Sequence, residues 1–319
     1  MRGVILDCDS LGPNDLDLSA LYNLPVDWTV YPDCEASMIV ERIADAHIVL
    51  TNKTPIDATT LSLAPELKLI SLLATGTNII DLKAASAASV IVCNAVNYGT
   101  ASVMQHVWGL ILALTTHLPS YSRHAVDGTW AESEMFCLLD YPVRELEGKT
   151  LGVVGAGDLG SAMAGAAQAF GMQVVFAALA GREYQDNLSR LPLHKLLPIV
   201  DVLSLHCPLT EQTQGMIGAA ELALMKRSAI LINSARGGLI DEAALKQALV
   251  SGALAGAGLD VLSQEPPVDG NVLIDSAVPN LIITPHTAWA AVEARQRLVG
   301  QMVENITAFL AGKPLRQVN

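Results

Sequence analysis

Three charged residues, Arg236, Glu265 and His286, each follow a short apolar run, in the segments ILINSARGGLID, GLDVLSQEPP and LIITPHTAWA. Each apolar run predicts a buried strand, and the carboxyl ends of parallel strands meet at one edge of a sheet. We therefore expect the three side chains to converge at a ligand-binding crevice along that edge.

These three residue types suit the reduction of a ketone that stands next to a carboxylate. Arg236 offers a planar fork for the carboxylate and polarises the carbonyl. Histidine exchanges protons near neutral pH, so His286 is the candidate acid/base that protonates the forming alkoxide. A neighbouring carboxylate, Glu265, favours the imidazolium form. A turn cap, a solvated turn residue and a structural histidine are the alternatives, and the shared strand-end setting disfavours them.

A glycine motif precedes these residues in the chain. Gly155, Gly157 and Gly160 have G-x-G-x-x-G spacing, between an apolar run and the Ala-rich segment SAMAGAAQAF. The first glycine permits a tight turn, the second lets the backbone approach a pyrophosphate, and the third allows close helix packing. The amides that open the helix, at Asp158 and Leu159, then face the phosphates. A turn that binds nothing is the alternative, and the strand–turn–helix context disfavours it.

The segment after the second strand of this domain lacks an expected feature. NAD-binding domains place an acidic residue there for the adenosine ribose, but this chain reads FAALAGR, and Glu183 is the first acid. We therefore expect NADPH to be accepted and NADH to be usable. Arg182 is the candidate partner of the NADP 2′-phosphate, and a solvated loop arginine is an equally weighted alternative.

Short apolar runs alternate with helical patterns along the whole chain, which indicates parallel sheets covered on both faces. The strands expected in the first third are Val4–Leu6, Ile48–Leu50, Leu69–Leu73 and Val90–Cys93. Those expected after the connecting region are Leu151–Val154, Val174–Phe176, Val202–Leu205, Ile230–Ile232, Ala257–Leu259 and Leu281–Ile283. Six such strands with intervening helices match a doubly wound nucleotide-binding domain.

Three helical segments complete the expected elements. The pattern Met38–Ala46 predicts a helix between strands. A long, nearly all-apolar pattern over Gly99–Leu118 predicts a buried helix that Pro119 ends. A polar segment through Asp127–Thr129 and Glu145–Lys149 is the candidate connecting region. The last helix, Val292–Leu310, has no strand after it, so we expect it to return to the first domain.

The composition excludes several functions. A net charge of −13 over 319 residues repels polyanions, so no nucleic-acid partner is expected. The most apolar stretch, Val107–Leu118, is too short and too polar to span a membrane. Five scattered cysteines without a C-x-x-C pair favour reduced thiols and a cytoplasmic location, and no histidine spacing suggests a metal site.

The motifs GAGDLG, SLHCPLTEQT, INSARGGLID, GLDVLSQEPP and TPHTAWA together resemble the D-isomer-specific 2-hydroxyacid dehydrogenases. The resemblance covers nearly the whole chain, and its C-terminal portion is most similar to the glycerate dehydrogenase (hydroxypyruvate reductase) branch. It implies that Arg236 binds substrate, that His286 is the acid/base and that Glu265 pairs with it.

The resemblance also implies roles outside this triad. Backbone amides of Thr75 and Gly76 would hold the substrate carboxylate, and Trp289 is either a wall of the substrate pocket or a core residue. Asp260 would contact the nicotinamide amide. The other implied cofactor-binding positions are Thr100, His206, Cys207, Pro208, Thr213, Ser234 and Ala235. Gln105 stands where the family usually has Glu, so the resemblance implies no role for this position.

Two doubly wound parallel-sheet domains follow from these observations. We expect a discontinuous flavodoxin-like substrate-binding domain over 1–98 and 290–319, and a Rossmann NAD(P)-binding domain over 99–289, with the active site in the cleft between them. The expected reaction is hydride transfer between NAD(P)H and a small 2-oxo acid, with hydroxypyruvate or glyoxylate as substrate, in a homodimer. The alternatives are an NAD(H)-sensing corepressor-like protein and a formate dehydrogenase, whose members carry Gln at the position of Glu265.

Overall fold

The computed structural model describes residues 1–179, 183–184, 188–274 and 277–319. The chain divides into two compact units. The first comprises residues 1–99 and 289–319, and the second comprises residues 100–288.

The first unit is built on a five-stranded parallel sheet with the strand order β2-β1-β3-β4-β5. Its strands are β1 (Arg2–Ile5), β2 (Asp27–Val30), β3 (Ile48–Thr51), β4 (Leu69–Leu72) and β5 (Ile91–Cys93). Its helices before residue 100 are α1 (Ser19–Tyr22), α2 (Ile39–Ile43), α3 (Ala58–Ser62) and α4 (Leu82–Ala87). Every residue of β3 and β4 is buried, as apolar strands covered on both faces should be. This strand order is flavodoxin-like, as expected.

The second unit contains a seven-stranded parallel sheet with the order β12-β11-β10-β9-β6-β7-β8. Its strands are β6 (Thr150–Val154), β7 (Gln173–Ala178), β8 (Arg190–Pro192), β9 (Val202–Leu205), β10 (Ile230–Asn233), β11 (Gly256–Leu259) and β12 (Leu281–Ile283). Its helices are α5 (Thr100–Thr116), α6 (Leu118–Val126), α7 (Asp158–Ala169), α8 (Leu193–Leu196), α9 (Ala219–Leu224) and α10 (Glu242–Val250). The strand order reverses between β6 and β9, which is the Rossmann arrangement with one additional strand.

The last helix, α11 (Val292–Leu310), has the bounds that the sequence predicts and belongs to the first unit. Its side chains Leu298, Met302 and Ile306 are fully buried in one cluster with Ile48 and Leu50 of the first sheet. Burying this apolar face is what fixes the C-terminal segment to a unit that begins at residue 1.

The structure differs from the sequence-based expectations in several elements. The predicted helix Met38–Ala46 is shorter, because residues Ala36–Met38 form a 3₁₀ turn and α2 ends at Ile43. Strands β2 and β8 are additional; both lie at a sheet edge and have few buried residues, so they lack an apolar run.

The prediction that Pro119 ends the long helix is wrong. Helix α5 ends at Thr116, and His117 then adopts a left-handed conformation with φ 51°. Pro119 lies in the first turn of α6, where its missing N–H would have no intrahelical partner in any case. Among the described residues, no helix combines the length and the apolar character that crossing a membrane requires.

Candidate active site

Three neighbouring strands, β10, β11 and β12, are followed by the loops that carry Arg236, Glu265 and His286 respectively. The strands are parallel, so their carboxyl ends meet at one edge of the sheet. The structure therefore brings these three loops to the same edge, as the strand-end positions in the sequence led us to expect.

His286 and Glu265 form a direct pair in which His286 Nδ1 lies 2.6 Å from Glu265 Oε2. The other carboxylate oxygen of Glu265 accepts a hydrogen bond of 2.9 Å from the Leu262 N–H, so the carboxylate is held on both sides. The two side chains are 31% and 34% exposed, which leaves them accessible to a ligand. His286 also has a φ of 54°, a conformation that non-glycine residues rarely adopt and that is concentrated at functional sites.

Asp260, at the end of β11, fixes the loop that carries His286. Its buried carboxylate accepts hydrogen bonds from Thr284 Oγ1 at 2.7 Å and from the Thr287 and Ala288 N–H groups at 2.9 Å each. The Asp260 carbonyl accepts a further bond of 2.9 Å from the His286 N–H. A carboxylate has about four acceptor positions, so the Asp260 carboxylate can make these bonds and still accept one from the nicotinamide amide. That predicted contact stays a prediction.

The turn that carries Arg236 is shaped by Asn233, the fully buried last residue of β10. Asn233 Oδ1 accepts a 3.0 Å hydrogen bond from the Ala235 N–H, and its Nδ2 donates to the Arg236 carbonyl at 2.9 Å. A Cβ added to Gly237 would overlap the Leu262 carbonyl, so the Arg236 turn lies in backbone contact with the loop that leads to Glu265. The Arg236 side chain itself is exposed.

The glycine loop has the geometry that a dinucleotide requires. Gly155 has φ 103°, and a Cβ there would lie 2.5 Å from the His206 carbonyl oxygen. A Cβ on Gly160 would overlap the Gly155 carbonyl oxygen. A Cβ on Gly157, in contrast, would meet no atom of the described residues within 4 Å, and helix α7 begins at the next residue, Asp158, without a side-chain cap from any of them. The open space and the uncapped amides of Asp158 and Leu159 suit a pyrophosphate.

The loop after β9 contains four of the predicted cofactor positions. His206 Nε2 lies 2.8 Å from Ser204 Oγ, and burial lowers the pKa of His206 to about 4, so the ring is neutral. Thr213 Oγ1 donates to the Pro208 carbonyl at 2.7 Å and therefore shapes the loop itself. Cys207 is buried, with its sulfur 3.9 Å from Met216 Sδ. A neutral, buried imidazole beside a buried thiol does not form an activated nucleophile.

Two polar atoms near this edge are candidates for contacts with a cofactor. Within the described ranges, the buried Ser234 Oγ and His206 Nδ1 have no hydrogen-bond partner. Buried polar atoms are normally satisfied, so these two atoms and the space beside Gly157 fit a bound nicotinamide dinucleotide. Thr100 opens helix α5, and Ala235 follows Ser234 in the turn described above. Arg182 lies outside the described residues.

The predicted substrate loop follows β4 in the first unit. The Asn94 side chain donates a 2.9 Å hydrogen bond from Nδ2 to the Thr75 carbonyl. Because a trans peptide directs its C=O and N–H groups oppositely, the Gly76 N–H points away from Asn94. Asn94 is held in turn by the fully buried Asn305, whose Nδ2 donates to the Asn94 carbonyl at 3.0 Å. Trp289 packs against the core of the first unit as a half-buried side chain.

Comparison with known proteins identifies the family. The family described as "D-isomer specific 2-hydroxyacid dehydrogenase, NAD binding domain" matches residues 108–288. A glycerate dehydrogenase of Methylorubrum extorquens is 46% identical over 312 residues, which cover 98% of this chain and 96% of the relative. This chain is a D-isomer-specific 2-hydroxyacid dehydrogenase. A hydroxypyruvate reductase of Blautia hydrogenotrophica is 39% identical over 325 residues and covers 100% of both chains.

Solved structures place the whole chain of this dehydrogenase in the same fold. The TT0316 protein of Thermus thermophilus has a TM-score of 0.89 at 33% identity and covers 100% of both chains. The NADPH-dependent glyoxylate/hydroxypyruvate reductase of Sinorhizobium meliloti, solved in complex with citrate, has a TM-score of 0.82 at 27% identity. It covers 99% of this chain and 97% of its own.

Four residues that sequence reasoning missed hold the loops of this dehydrogenase in place. Two of them, Asn94 and Asn233, are described above. The third is His106, whose Nε2 lies 2.9 Å from Thr284 Oγ1, the hydroxyl that donates to Asp260. Asp7, buried at the end of β1, accepts bonds from the backbone N–H groups of residues 52–54 at 2.7 to 3.1 Å. Polar residues that directly follow apolar runs, as in ILDCD, VCNAV and ILINS, are the signal that would have found three of the four.

Proposed function

We propose that this dehydrogenase reduces hydroxypyruvate and glyoxylate with NAD(P)H, giving D-glycerate and glycolate. The observation that carries the proposal is the His286–Glu265 pair of 2.6 Å, which lies in loops beside the Arg236 turn at one sheet edge. The relatives named glycerate dehydrogenase and hydroxypyruvate reductase, together with the reductase of Sinorhizobium meliloti, support this choice of substrates.

Substrate binding is proposed to use cationic and amide donors. The guanidinium of Arg236 binds the carboxylate and polarises the C2 carbonyl, with the backbone amides of Thr75 and Gly76 as further donors to the carboxylate. Trp289 is proposed as a wall of the substrate pocket. The two units are accordingly proposed to act as a substrate-binding domain, residues 1–99 and 289–319, and a dinucleotide-binding domain, residues 100–288.

Proton transfer is assigned to His286. Because Glu265 engages Nδ1, we propose that Nε2 is the ring nitrogen that exchanges a proton with the substrate oxygen. The protonated ring would be the proton donor for reduction, and Glu265 would orient it through the contact at Nδ1. When bound, the nicotinamide supplies the hydride that adds to C2. The carbonyl thus gains a hydride at carbon and a proton at oxygen, and the reverse reaction returns the proton to the imidazole.

The cofactor is proposed to bind along the carboxyl edge of the second sheet. The glycine loop and the start of α7 would hold the pyrophosphate, and the loop after β9 would line the cofactor through His206, Cys207, Pro208 and Thr213. Thr100, Ser234, Ala235 and Asp260 are proposed to contact its nicotinamide half. Because β7 ends in Ala177 and Ala178 without a carboxylate, we propose that NADPH is accepted and NADH is usable.

The two alternative functions are less well supported. The relatives described above carry the names of reductases and dehydrogenases of hydroxy acids. The acidic residue Glu265, where the formate dehydrogenases of the family carry Gln, also disfavours a formate dehydrogenase. A corepressor-like sensor would bind the dinucleotide without turnover, and the relatives named above, which carry the names of enzymes, disfavour it.

A homodimer and a cytoplasmic location belong to the same proposal. The segment around residues 126–143 exposes large apolar side chains, among them Val126, Phe136 and Leu139, which are 80–86% exposed. Large apolar side chains that are exposed within one segment are typical of protein interfaces, and we propose a second copy of this chain as the partner. All five cysteines are free thiols, which suits a reducing compartment.

A substrate panel tests the proposal. Initial rates would be measured for hydroxypyruvate, glyoxylate, pyruvate and CO₂/formate, each with NADH and with NADPH. We expect the highest kcat/KM with hydroxypyruvate or glyoxylate, and D-glycerate or glycolate as the product. Negligible turnover with every 2-oxo acid, combined with tight dinucleotide binding, would instead support the sensor.

A further inference from the structure

A small pocket lies directly beside the glycine loop of the second unit. It has a volume of about 180 Å³ and is lined by Gly155, Ala156, Gly157, Ala177, Leu179, Tyr184 and Arg190. Its walls come from the turn after β6, the end of β7 and the start of β8, so it borders the space that a pyrophosphate at Gly157 would occupy. If a dinucleotide is bound at the glycine loop, a group that projects from its adenosine half would lie next to this pocket.

Arg190 supplies the positive charge of this pocket. Its guanidinium lies 3.9 Å from the centre of the Tyr184 ring and 5.6 Å from that of Phe176. One of its nitrogens, Nη1, lies 3.4 Å from the Ala177 carbonyl oxygen. Stacking on an aromatic face orients the planar guanidinium before any ligand arrives. The side chain is half-buried, which strengthens its interaction with an anion relative to an exposed arginine.

Tyr184 is itself fixed in this arrangement. Its hydroxyl oxygen accepts a 2.8 Å hydrogen bond from the Leu179 N–H at the end of β7. This bond anchors the ring beside the strand end. The ring on which Arg190 stacks is therefore held at the end of β7, where other dinucleotide-binding domains carry the carboxylate that binds the ribose.

The end of β7 lacks the group that would repel a phosphate. Residues 177–179 read Ala-Ala-Leu, and none of them is acidic. A carboxylate there would bind the ribose hydroxyls of NAD and repel the 2′-phosphate of NADP. In this chain, the position of that carboxylate borders a pocket that contains a stacked guanidinium.

We propose that Arg190, stacked on the Tyr184 ring, binds the 2′-phosphate of NADPH in this pocket. The proposal rests on the proposed function, because it assumes that a nicotinamide dinucleotide binds at the glycine loop. It assigns the phosphate contact to the start of β8, whereas the sequence had suggested Arg182.

Direct binding measurements test this assignment without relying on turnover. Dissociation constants for NADPH, NADH, 2′,5′-ADP and 5′-AMP would be measured by titration calorimetry for the unmodified protein and for Arg190→Ala. We expect Arg190→Ala to weaken NADPH and 2′,5′-ADP about tenfold or more, the loss typical of a charge-assisted contact. NADH and 5′-AMP should change by less than about threefold, because they have no 2′-phosphate.

Three further variants make the outcome decisive. Arg182→Ala is the matched control, and Arg190→Lys keeps the charge but loses the fork, so it should recover only part of the NADPH affinity. Ala178→Asp should selectively weaken the binding of NADPH, and it provides a second test if Arg190→Ala fails to fold.

Equal weakening of NADH and NADPH binding by Arg190→Ala, or a selective loss of NADPH binding in Arg182→Ala alone, would overturn the assignment. A protein that binds none of the four ligands would refute the proposed function instead.

Discussion

His286 is the side chain on which the proposed reduction depends most directly. Replacement by Ala removes the proton donor, so we expect kcat for hydroxypyruvate reduction to fall by about 10²–10⁴-fold. NADPH affinity should be unchanged, because the ring lies in the loop after β12 and not in the glycine loop. Steady-state rates and a fluorescence titration with NADPH measure the two effects. His194→Ala, which alters an exposed histidine of α8, is the control. Near-normal turnover of His286→Ala would remove this residue from the mechanism.

Glu265 contacts the ring of His286 directly, with its Oε2 2.6 Å from His286 Nδ1. Glu265→Gln preserves the shape of the side chain but removes its negative charge. We expect kcat for hydroxypyruvate reduction to fall about tenfold or more, because a neutral acceptor holds the ring less strongly than a carboxylate does. Steady-state rates measure this loss, and the dissociation constant of NADPH should be unchanged.

Glu242→Gln provides the matched control for this substitution. Glu242 holds the same loop by accepting bonds of 2.7 Å from the Ser263 N–H and the Ser263 hydroxyl, and among the described residues it has no bond to His286. If loop disorder alone were responsible, both variants would show the same change. An unchanged kcat in Glu265→Gln would contradict the pairing.

The turn between β6 and α7 allows a substitution that separates folding from cofactor binding. Gly157 has φ −73°, which any residue tolerates, and a Cβ there would have no neighbour within 4 Å in the part of the chain that the structure describes. Gly157→Ala should therefore keep its Tm but weaken both NADH and NADPH, by about tenfold or more, because the methyl group occupies the space proposed for the pyrophosphate.

Gly165→Ala is the control for this substitution. Gly165 lies in the same helix α7 and is exposed, and a Cβ there would also have no described residue within 4 Å. Alanine favours the helix interior by roughly 0.5–1 kcal/mol, so this variant should melt slightly higher and bind the cofactor normally. Unchanged affinity in Gly157→Ala, measured by titration calorimetry, would argue that the dinucleotide does not approach this turn.

The loop after β4 depends on a neighbouring strand end for its orientation. Asn94→Asp removes the donor to the Thr75 carbonyl at nearly constant shape and places a negative charge beside that oxygen. We expect KM for hydroxypyruvate to rise about tenfold, because the Gly76 N–H is no longer directed at the substrate carboxylate. The dissociation constant of NADPH should be unchanged. Equal changes in both quantities, with a lowered Tm, would indicate a purely structural role for Asn94.

At the scale of elements, the sequence predicts most of the fold because buried parallel strands are continuous apolar runs. Strands β9 and β12 and helix α11 have the predicted bounds. The edge strands β2 and β8 escaped prediction because few of their residues are buried. The strand-end rule likewise indicated Arg236 and His286. The same rule applies to Asn94, but its bond to the Thr75 carbonyl, 19 residues away, could not be read from the sequence. His106 lies within helix α5 and has no strand-end signal.

At the scale of the whole molecule, the apolar side chains of residues 126–143 are the basis of the proposed homodimer. Phe136 is 86% exposed and Leu139 is 80% exposed, although a folded monomer usually covers side chains of this size. The base of the segment is ordered by Tyr121, whose hydroxyl donates to the Tyr141 carbonyl at 2.9 Å. An ordered segment that presents large apolar groups suits a preformed interface, because little conformational entropy is lost on association.

Sedimentation equilibrium tests this assembly. We expect the unmodified protein to sediment at twice its chain mass of 33.7 kDa at micromolar concentration. The double variant Phe136→Ser, Leu139→Ser should dissociate at least tenfold more readily, because each buried apolar anchor contributes about 2 kcal/mol. Val268→Ser, which alters another side chain that is 77% exposed but lies outside this segment, should leave the mass unchanged. A monomeric unmodified protein, or a double variant that remains dimeric, would show that the segment does not bind a second copy of the chain.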